Sequence, residues 1–341
     1  MSHTTRRRVL KSAAAAGAAA AFSVCAIGGR AAAAEFVLKY ANQSPANAPV
    51  NIRSLEAANK IREETGGRVD IKIFPNNQLG SDADMISQLR TGAIDFMTET
   101  GALMESLVPS ASVNAVGFAF ADYDAVWRAM DGGLGKAVRA SFAKSNLYAF
   151  EKVWDNGFRQ ITSGTKPINT PQDLKGFKIR VPVAPIQVAL FRGLGASPVS
   201  LPLKEAYSSL QTHLADGQEN ALVLIDAFKF YEVQKYCSVT KHQWDGFWML
   251  SSMRSWNRIP TDLQAIIERH WNAAALLQRE DAQQLDKTLR GTLQQHGMIF
   301  NEPDVEPFRA TLRQSGYYTE WKAKFGDELW SVLEKSTGKL A

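Results

Sequence analysis

Strand-like and helix-like patterns alternate along the chain once its first 34 residues are passed. Phe36 to Ala41 reads as a strand, and Val50 to Glu64 carries Ile52, Leu55, Ala58 and Ile61 at helical spacing before Gly66-Gly67 stops it. Val69 to Phe74 alternates apolar and polar positions, as a half-buried strand does, and Pro75 ends it. Ser81 with Asp84 three residues later is a helix-start signal for Met85 to Arg90. Gly92 closes that helix, and Ile94 to Met97 is the next strand. This β-α-β-α-β spacing predicts an α/β sheet with helices on its faces and ligand-contacting loops at strand ends.

The second half continues in the same style, with strands expected at Leu147 to Val153, Phe158 to Thr162, Phe177 to Val181 and Ser197 to Leu201. Thr170-Pro171-Gln172-Asp173 is a helix start, with a hydroxyl N-cap and proline at the first helical position, and Gly176 stops that helix. Asp262 to His296 runs 35 residues with no proline and one glycine, and Leu263, Ile267, Trp271, Ala274, Leu277, Leu285, Leu289 and Leu293 recur along it. As one helix it would be about 52 Å long. A lobe of ~150 residues has a radius of gyration near ~15 Å. The helix must therefore brace two lobes, or kink near Gly291 or the polar stretch Gln278 to Gln284.

Residues 1–34 change the reading of composition. Arg6, Arg7, Arg8 and Lys11 precede an Ala-rich apolar stretch from Ala13 to Ile27, and Ala31 to Ala34 offer small-residue cleavage positions, which is the pattern of an export leader. Thr5 to Lys11, T-R-R-R-V-L-K, resembles the twin-arginine export signal. The alternative is a transmembrane helix, which needs about 20 apolar residues. Here Gly28, Gly29 and Arg30 interrupt the stretch. The leader holds five of the 39 basic residues and none of the 34 acidic ones, so the remaining 34 basic residues balance the acidic ones. The net charge of +5 vanishes, and no basic cluster suggests nucleic acid. Cys25 lies in the leader, where Phe22-Ser23-Val24 lacks the small residue usual before a lipidated cysteine. Cys237 is then alone and no internal disulfide can form. The rest of the chain is long enough for one large domain or two lobes.

Catalytic signatures are absent: there is no Gly-x-Ser-x-Gly, His-Glu-x-x-His or Cys-x-x-Cys. Gly132-Gly133-Leu134-Gly135-Lys136 lacks the spacing of a phosphate loop and reads as a helix-to-helix turn. His213, His242, His270 and His296 are too scattered for a local metal site and read as structural histidines. Chemistry concentrates instead in one stretch of polar residues. Trp154-Asp155-Asn156-Gly157-Phe158-Arg159 reads as a sharp turn presenting Arg159. Lys178 to Pro182 places Arg180 near the end of a strand, on the face opposite Ile179 and Val181. Asp216-Gly217-Gln218-Glu219-Asn220 reads as a polar turn before the apolar run Ala221 to Ile225. Two arginines and an asparagine amide suit a carboxylate, which guanidinium grips with two parallel hydrogen bonds.

The same stretch resembles the solute-binding subunits of TRAP transporters, in their dicarboxylate and sugar-acid type. The resemblance rests on W-D-N-G-F-R-Q from Trp154, K-P-I-N-T-P-Q-D-L-K-G-F-K-I-R-V-P from Lys166, G-A-S-P-V-S-L-P from Gly195, Y-S-S-L-Q from Tyr207 and D-G-Q-E-N from Asp216. Upstream, Gly80 to Phe96 looks like the family's first-lobe helix and strand.

The resemblance implies an α/β, two-lobed periplasmic binding protein of type II-like layout, with hinge strands and a long helix spanning both lobes. The expected lobes are 35–157 with about 246–285, and 158–245 with about 286–341. It implies that Arg180 makes the main bidentate contact to a ligand carboxylate, with Arg159 as a second cationic contact and Asn220 as an amide contact. Asn42 and Glu99, or Thr98 in place of Glu99, would reach the ligand from the first lobe. Trp154, His242 and Trp244 would be walls of the cleft or hinge packing. Family members commonly have glycine where this chain has His213, and proline where it has Ala221, and either departure bears on Asn220. The implied protein is a monomeric, periplasmic carrier without cofactor, metal or nucleic acid. It would pass a carboxylate to a small and a large integral membrane subunit. A sensor partner and a periplasmic enzyme are the other readings. The ligand stays open among C4-dicarboxylates, sugar acids, 2-oxo acids and aromatic acids.

Overall fold

Ten strands pair into one mixed sheet in the computed structural model, which describes residues 33–340. The expected leader thus falls almost wholly outside the described residues. The strands are β1 (Phe36–Ala41), β2 (Val69–Phe74), β3 (Phe96–Thr100), β4 (Leu147–Ala149), β5 (Trp154–Ser163), β6 (Lys178–Val181), β7 (Ser197–Ser200), β8 (Gly217–Ala221), β9 (Tyr236–Ser252) and β10 (Ile299–Asn301). Their order is β2-β1-β3-β9-β5-β8-β6-β7, with β4 and β10 also paired to β9. β1 runs parallel to β2 and β3 at one end, and β6 parallel to β7 and β8 at the other. Parallel neighbours need helical crossovers. Helices Pro49–Glu64 and Asp82–Thr91 supply them at the first end, and Pro185–Gly193 and Leu203–Gln211 at the second. The two ends are joined by β5 and β9, which run antiparallel to each other and are the hinge strands of a two-lobed α/β fold.

Local signals explain most of these elements. Ser81 and Asp84 form the expected capping box, each side chain bonding the other's backbone N–H, and Gly92 ends the helix in the left-handed conformation. Gly132 separates helix Tyr123–Met130 from helix Gly133–Lys144, so the glycine cluster is a helix-to-helix turn. Thr170 and Asp173 also form a capping box, but it starts only a short 3-10 turn, Pro171–Leu174, in place of the expected α-helix.

Three further expectations need correction. Trp154 to Arg159 is not a turn between strands but the start of the continuous strand β5, whose register against β9 slips between Asp155 and Gly157. Asn156 is the extra residue of that bulge, and Gly157 supplies the positive φ of 104° that lets the strand resume. Gly217 to Asn220 is likewise strand, not turn, with the side chains of Gln218 and Glu219 bonded inside the protein. Gln218 donates to Thr162 Oγ1 at 2.9 Å, and a Cβ on Gly217 would meet Thr162 O at 2.2 Å. The expected strand at Leu147 to Val153 stops at Ala149.

Thr261–Gln295 is one α-helix. Its Leu263, Ile267, Trp271 and Ala275 pack with Leu38, Tyr40 and Phe96 of the first end, while Leu289 and Leu293 pack with Leu203, Leu210 and Ile225 of the second. The polar stretch between these groups is a fastening and not a kink. Gln278 exchanges hydrogen bonds of 2.8 and 2.7 Å with the backbone of Asp155. Arg279 grips Asp131 at 2.8 and 3.0 Å, donates to Val153 O and lies 3.8 Å over the Trp127 ring. No helix among the described residues is long and apolar enough to cross a membrane.

Trp271 is fully buried and its ring meets Tyr40, Phe96 and Trp154. Trp271→Ala should destabilise the protein by about 3 to 5 kcal/mol, by lost transfer energy and a residual cavity. Trp271→Phe should cost less than about 1.5 kcal/mol, since much of the volume is kept. Urea unfolding midpoints measure both, and equal losses would show that the ring does not carry the packing.

Candidate functional site

A cavity of about 350 Å³ opens where the two ends of the sheet meet, within the size range of small-molecule sites. Gln43 after β1, Asp82 and Ile86 of helix Asp82–Thr91, and Thr100 and Leu103 line it from the first end. Arg180 of β6, Val183, Leu203, Asn220 of β8 and Leu224 line it from the second. Asn156, Arg159 and Asp245 come from the hinge strands themselves.

The two expected arginines are held in opposite electrostatic situations. Arg159 is buried between β5, β8 and β9, with Nε and Nη2 donating to the two oxygens of Glu219, and Nη1 donating to Asp245 at 3.0 Å. Burial alone would lower its pKa, but the Glu219 and Asp245 carboxylates overcome that and hold it raised. Burial would likewise push Glu219 up, yet Arg159 and His242 hold its carboxyl below the usual range. Burial depresses the pKa of His242, which keeps the ring neutral. Its Nε2 then donates to Glu219 at 3.0 Å while Nδ1 accepts from Thr240 at 2.8 Å, an assignment fixed by the partners. Asp245 is pushed up to about 6, with burial outweighing the Arg159 charge.

Arg180 has no carboxylate in contact. Its Nε and Nη2 both donate to the carbonyl of Leu201, at 2.9 and 2.6 Å, and its Nη1 is buried without a protein partner. Only 1% of the residue is exposed, and burial pushes its pKa down to about 10. Asp82 lines the same cavity, and burial raises its pKa against the opposing pull of Asn77 and Arg180.

The cavity thus brings together Arg180, Arg159 and Asn220 of the residues singled out from sequence. The other five lie behind its lining. Asn42 is tied to Asn51 at 2.7 Å and accepts from Ser44 N, and Glu99 accepts from Gln43 at 3.4 Å and Thr100 N at 2.8 Å. Burial first, and then the Asp82 charge, raise Glu99 well above the carboxylate range. Thr98 bonds the Tyr40 hydroxyl at 2.8 Å. Trp154 meets Trp271 edge to face, His242 sits between Phe118 and Phe191, and Trp244 donates to Asp155 at 3.0 Å. Sequence reading passed over Gln43, Asp82, Asn156, Asp245 and the apolar wall. The Asn156-Gly157 pair carried a signal, since a turn dipeptide inside a strand marks a bulge.

Both departures from the family pattern leave the backbone as the family residues would want it. His213 takes φ 58°, the left-handed region where glycine is at ease, and Ala221 takes φ −69°, the angle proline imposes. Asn220 keeps its place in β8.

The chain matches the sequence model of "Bacterial extracellular solute-binding protein, family 7" over residues 40–321. It is similar to the C4-dicarboxylate-binding protein DctB of Bacillus subtilis (strain 168), 27% identical over 297 residues that cover 86% of this chain and 85% of that one. It is also similar to the 2,3-diketo-L-gulonate-binding periplasmic protein YiaO of Escherichia coli (strain K12), 30% identical over 253 residues, covering 74% and 77%. Among solved structures, a TRAP periplasmic solute binding protein from Desulfovibrio salexigens with bound orotic acid superposes with a TM-score of 0.84 at 27% identity, covering 90% of this chain and 100% of that one.

The two arginines should respond oppositely to removal of their charge. Arg159→Met leaves Glu219 and Asp245 buried without their cation and should destabilise the unliganded protein by about 3 to 5 kcal/mol. Arg180→Met removes a buried charge that has no counter-ion and should leave the unliganded melting temperature unchanged or raised. Equal destabilisation in both variants contradicts the assignment.

The pH dependence of stability provides a separate check through Asp155, whose carboxyl burial pushes up to about 7 despite hydrogen bonds from Trp244 and Tyr123. A carboxyl with a raised folded-state pKa favours the fold when protonated. That contribution is complete below the ordinary carboxylate pKa and is lost as pH climbs through about 7. Asp155→Asn should therefore flatten the fall in urea midpoint between roughly pH 4 and 7, and a slope identical to wild type would refute the shift.

Proposed function

We infer that this chain, which belongs to the bacterial extracellular solute-binding protein family 7, captures a small organic acid in its cavity and carries it to a membrane permease. The observation that carries this reading is the Arg180 guanidinium. It lines the cavity, is buried, has no carboxylate partner and keeps one nitrogen free of any protein acceptor. A buried cation without a counter-ion is costly, and an anionic ligand is the partner that relieves the cost. Guanidinium also remains charged at any physiological pH, so capture does not depend on a proton.

Closure is the second part of the reading. The two expected lobes, 35–157 with about 246–285 and 158–245 with about 286–341, meet at this cavity. A ligand touching residues from both stabilises the closed arrangement by its differential affinity for it. The irregularities in the β5–β9 pairing, at Asp155/Gly157 with the extra residue on β5 and at Arg159/Ile161 with the extra residues on β9, suit hinge strands that twist. The relatives are named for what they bind, and we take this chain to be a carrier that returns its ligand unaltered. Export by the twin-arginine route to the periplasm, and delivery to a small and a large membrane subunit, belong to the same proposal.

Arg180→Ala should cost about 2 to 5 kcal/mol of binding, roughly 30-fold to several thousand-fold in affinity, and Arg180→Lys should restore only part of it. Isothermal calorimetry with a carboxylate found by thermal-shift screening measures this. A dissociation constant unmoved by Arg180→Ala removes the role.

A further inference from the structure

The cavity has one buried cation to offer and a largely apolar wall. Ile86, Leu103 and Leu107 line it from the first end, and Val183, Leu203 and Leu224 from the second. Val183 is 55% exposed, a large apolar group held open at the rim. Arg159 is tied to Glu219 and Asp245, so among the described residues Arg180 is the buried cation of the lining without a carboxylate. Arg90 also lines the cavity but is exposed, where solvent screening leaves an ion pair worth little.

The remaining polar lining favours donors over a second anion. Asp82 contributes a carboxylate, and Asp245 Oδ1 and Asn220 Oδ1 are buried without a protein donor. A second carboxylate on the ligand would face these oxygens with no buried cation to receive it, which is discrimination by repulsion. Ser81, Ser87, Thr100 and Ser106 also line the cavity and can pair a few hydroxyls, whereas a full ring of them would still set donors against Ile86, Leu103, Leu107, Val183, Leu203 and Leu224. A single hydroxyl or ammonium, by contrast, would satisfy acceptors that lack donors.

We propose, resting on the carboxylate-capturing role inferred above, that this site selects monocarboxylic acids with a branched or aromatic apolar body and a single hydroxyl or ammonium donor. Dicarboxylates and polyhydroxylated sugar acids are the disfavoured classes. The Arg180 guanidinium takes the carboxylate, the acceptors of Asp245 and Asn220 take the donor, and the six apolar side chains enclose the body.

Calorimetry on the leaderless protein with 2-hydroxy-4-methylpentanoate and phenyllactate against succinate and galacturonate tests this. The first two should bind at least about tenfold tighter, the scale on which an apolar pocket reads methylene-sized differences. Asp82→Asn should raise the affinity for succinate. Val183→Asn, at an exposed position, should weaken the apolar acids more than succinate. Tighter binding of succinate or galacturonate that is lost in Arg180→Ala overturns the selectivity and keeps the capture of carboxylates. Binding by none of the four acids, or binding indifferent to Arg180→Ala, overturns both. An equal loss for all ligands in Val183→Asn overturns the apolar wall.

Discussion

The buried ion cluster of Arg159, Glu219 and Asp245 is the constraint on which the geometry of the cavity depends. Three strands contribute one member each, β5, β8 and β9, and none of the three charges is solvated. Such a group is tolerable only when every charge is paired and the spare hydrogen-bonding capacity is filled. His242 on Glu219 and Asn156 on Asp245 supply part of that filling, and Asp245 Oδ1 is left without a protein donor. The cluster therefore fixes the relative position of the strands that join the two ends of the sheet. Alternation along β8 then follows from it: Glu219 is committed to Arg159, so Asn220, its neighbour, faces the other way.

The same commitment separates two arginines that look equivalent in sequence. Arg159 is neutralised by the fold, whereas Arg180 receives only a backbone carbonyl, that of Leu201. Continuity of the long elements makes this separation matter mechanically. β9 pairs with β3 of the first end, β5 with β8 of the second, helix Thr261–Gln295 packs on both, and Gln278 and Arg279 fasten the helix to the residues that begin β5.

Legibility followed burial chemistry. Elements whose polar residues face water were plain in the sequence: β1, β2, helix Pro49–Glu64 and the Ser81 capping box fall where periodicity and caps place them. Elements buried on both faces were not. β9 is buried through most of Tyr236–Ser252, yet it holds Ser238, Thr240, His242, Gln243 and Asp245, so neither alternation nor an unbroken apolar run marks it. β8 reads as a turn for the same reason, because a polar residue paired inside a sheet is indistinguishable in sequence from one hydrated in a loop. The site divides in the same way. Arg180 and Asn220 stand out from the residues themselves and take their roles from the family resemblance, whereas Asp245 is hidden because its partner, Arg159, lies 86 residues away.

That hidden pairing explains why residue type alone is a poor guide to which arginine meets a ligand. A guanidinium gains nothing further from a ligand carboxylate once two protein carboxylates hold it, and displacing them would strand two buried anions. A guanidinium whose one contact is a carbonyl keeps part of its desolvation cost, which the more distant Glu219 and Asp82 charges reduce and an anion in contact would reduce further. Arg180 keeps one nitrogen, Nη1, without a protein acceptor, in a cavity that Ile86, Leu103, Leu107, Val183, Leu203 and Leu224 share with polar residues such as Ser81, Thr100 and Asn156.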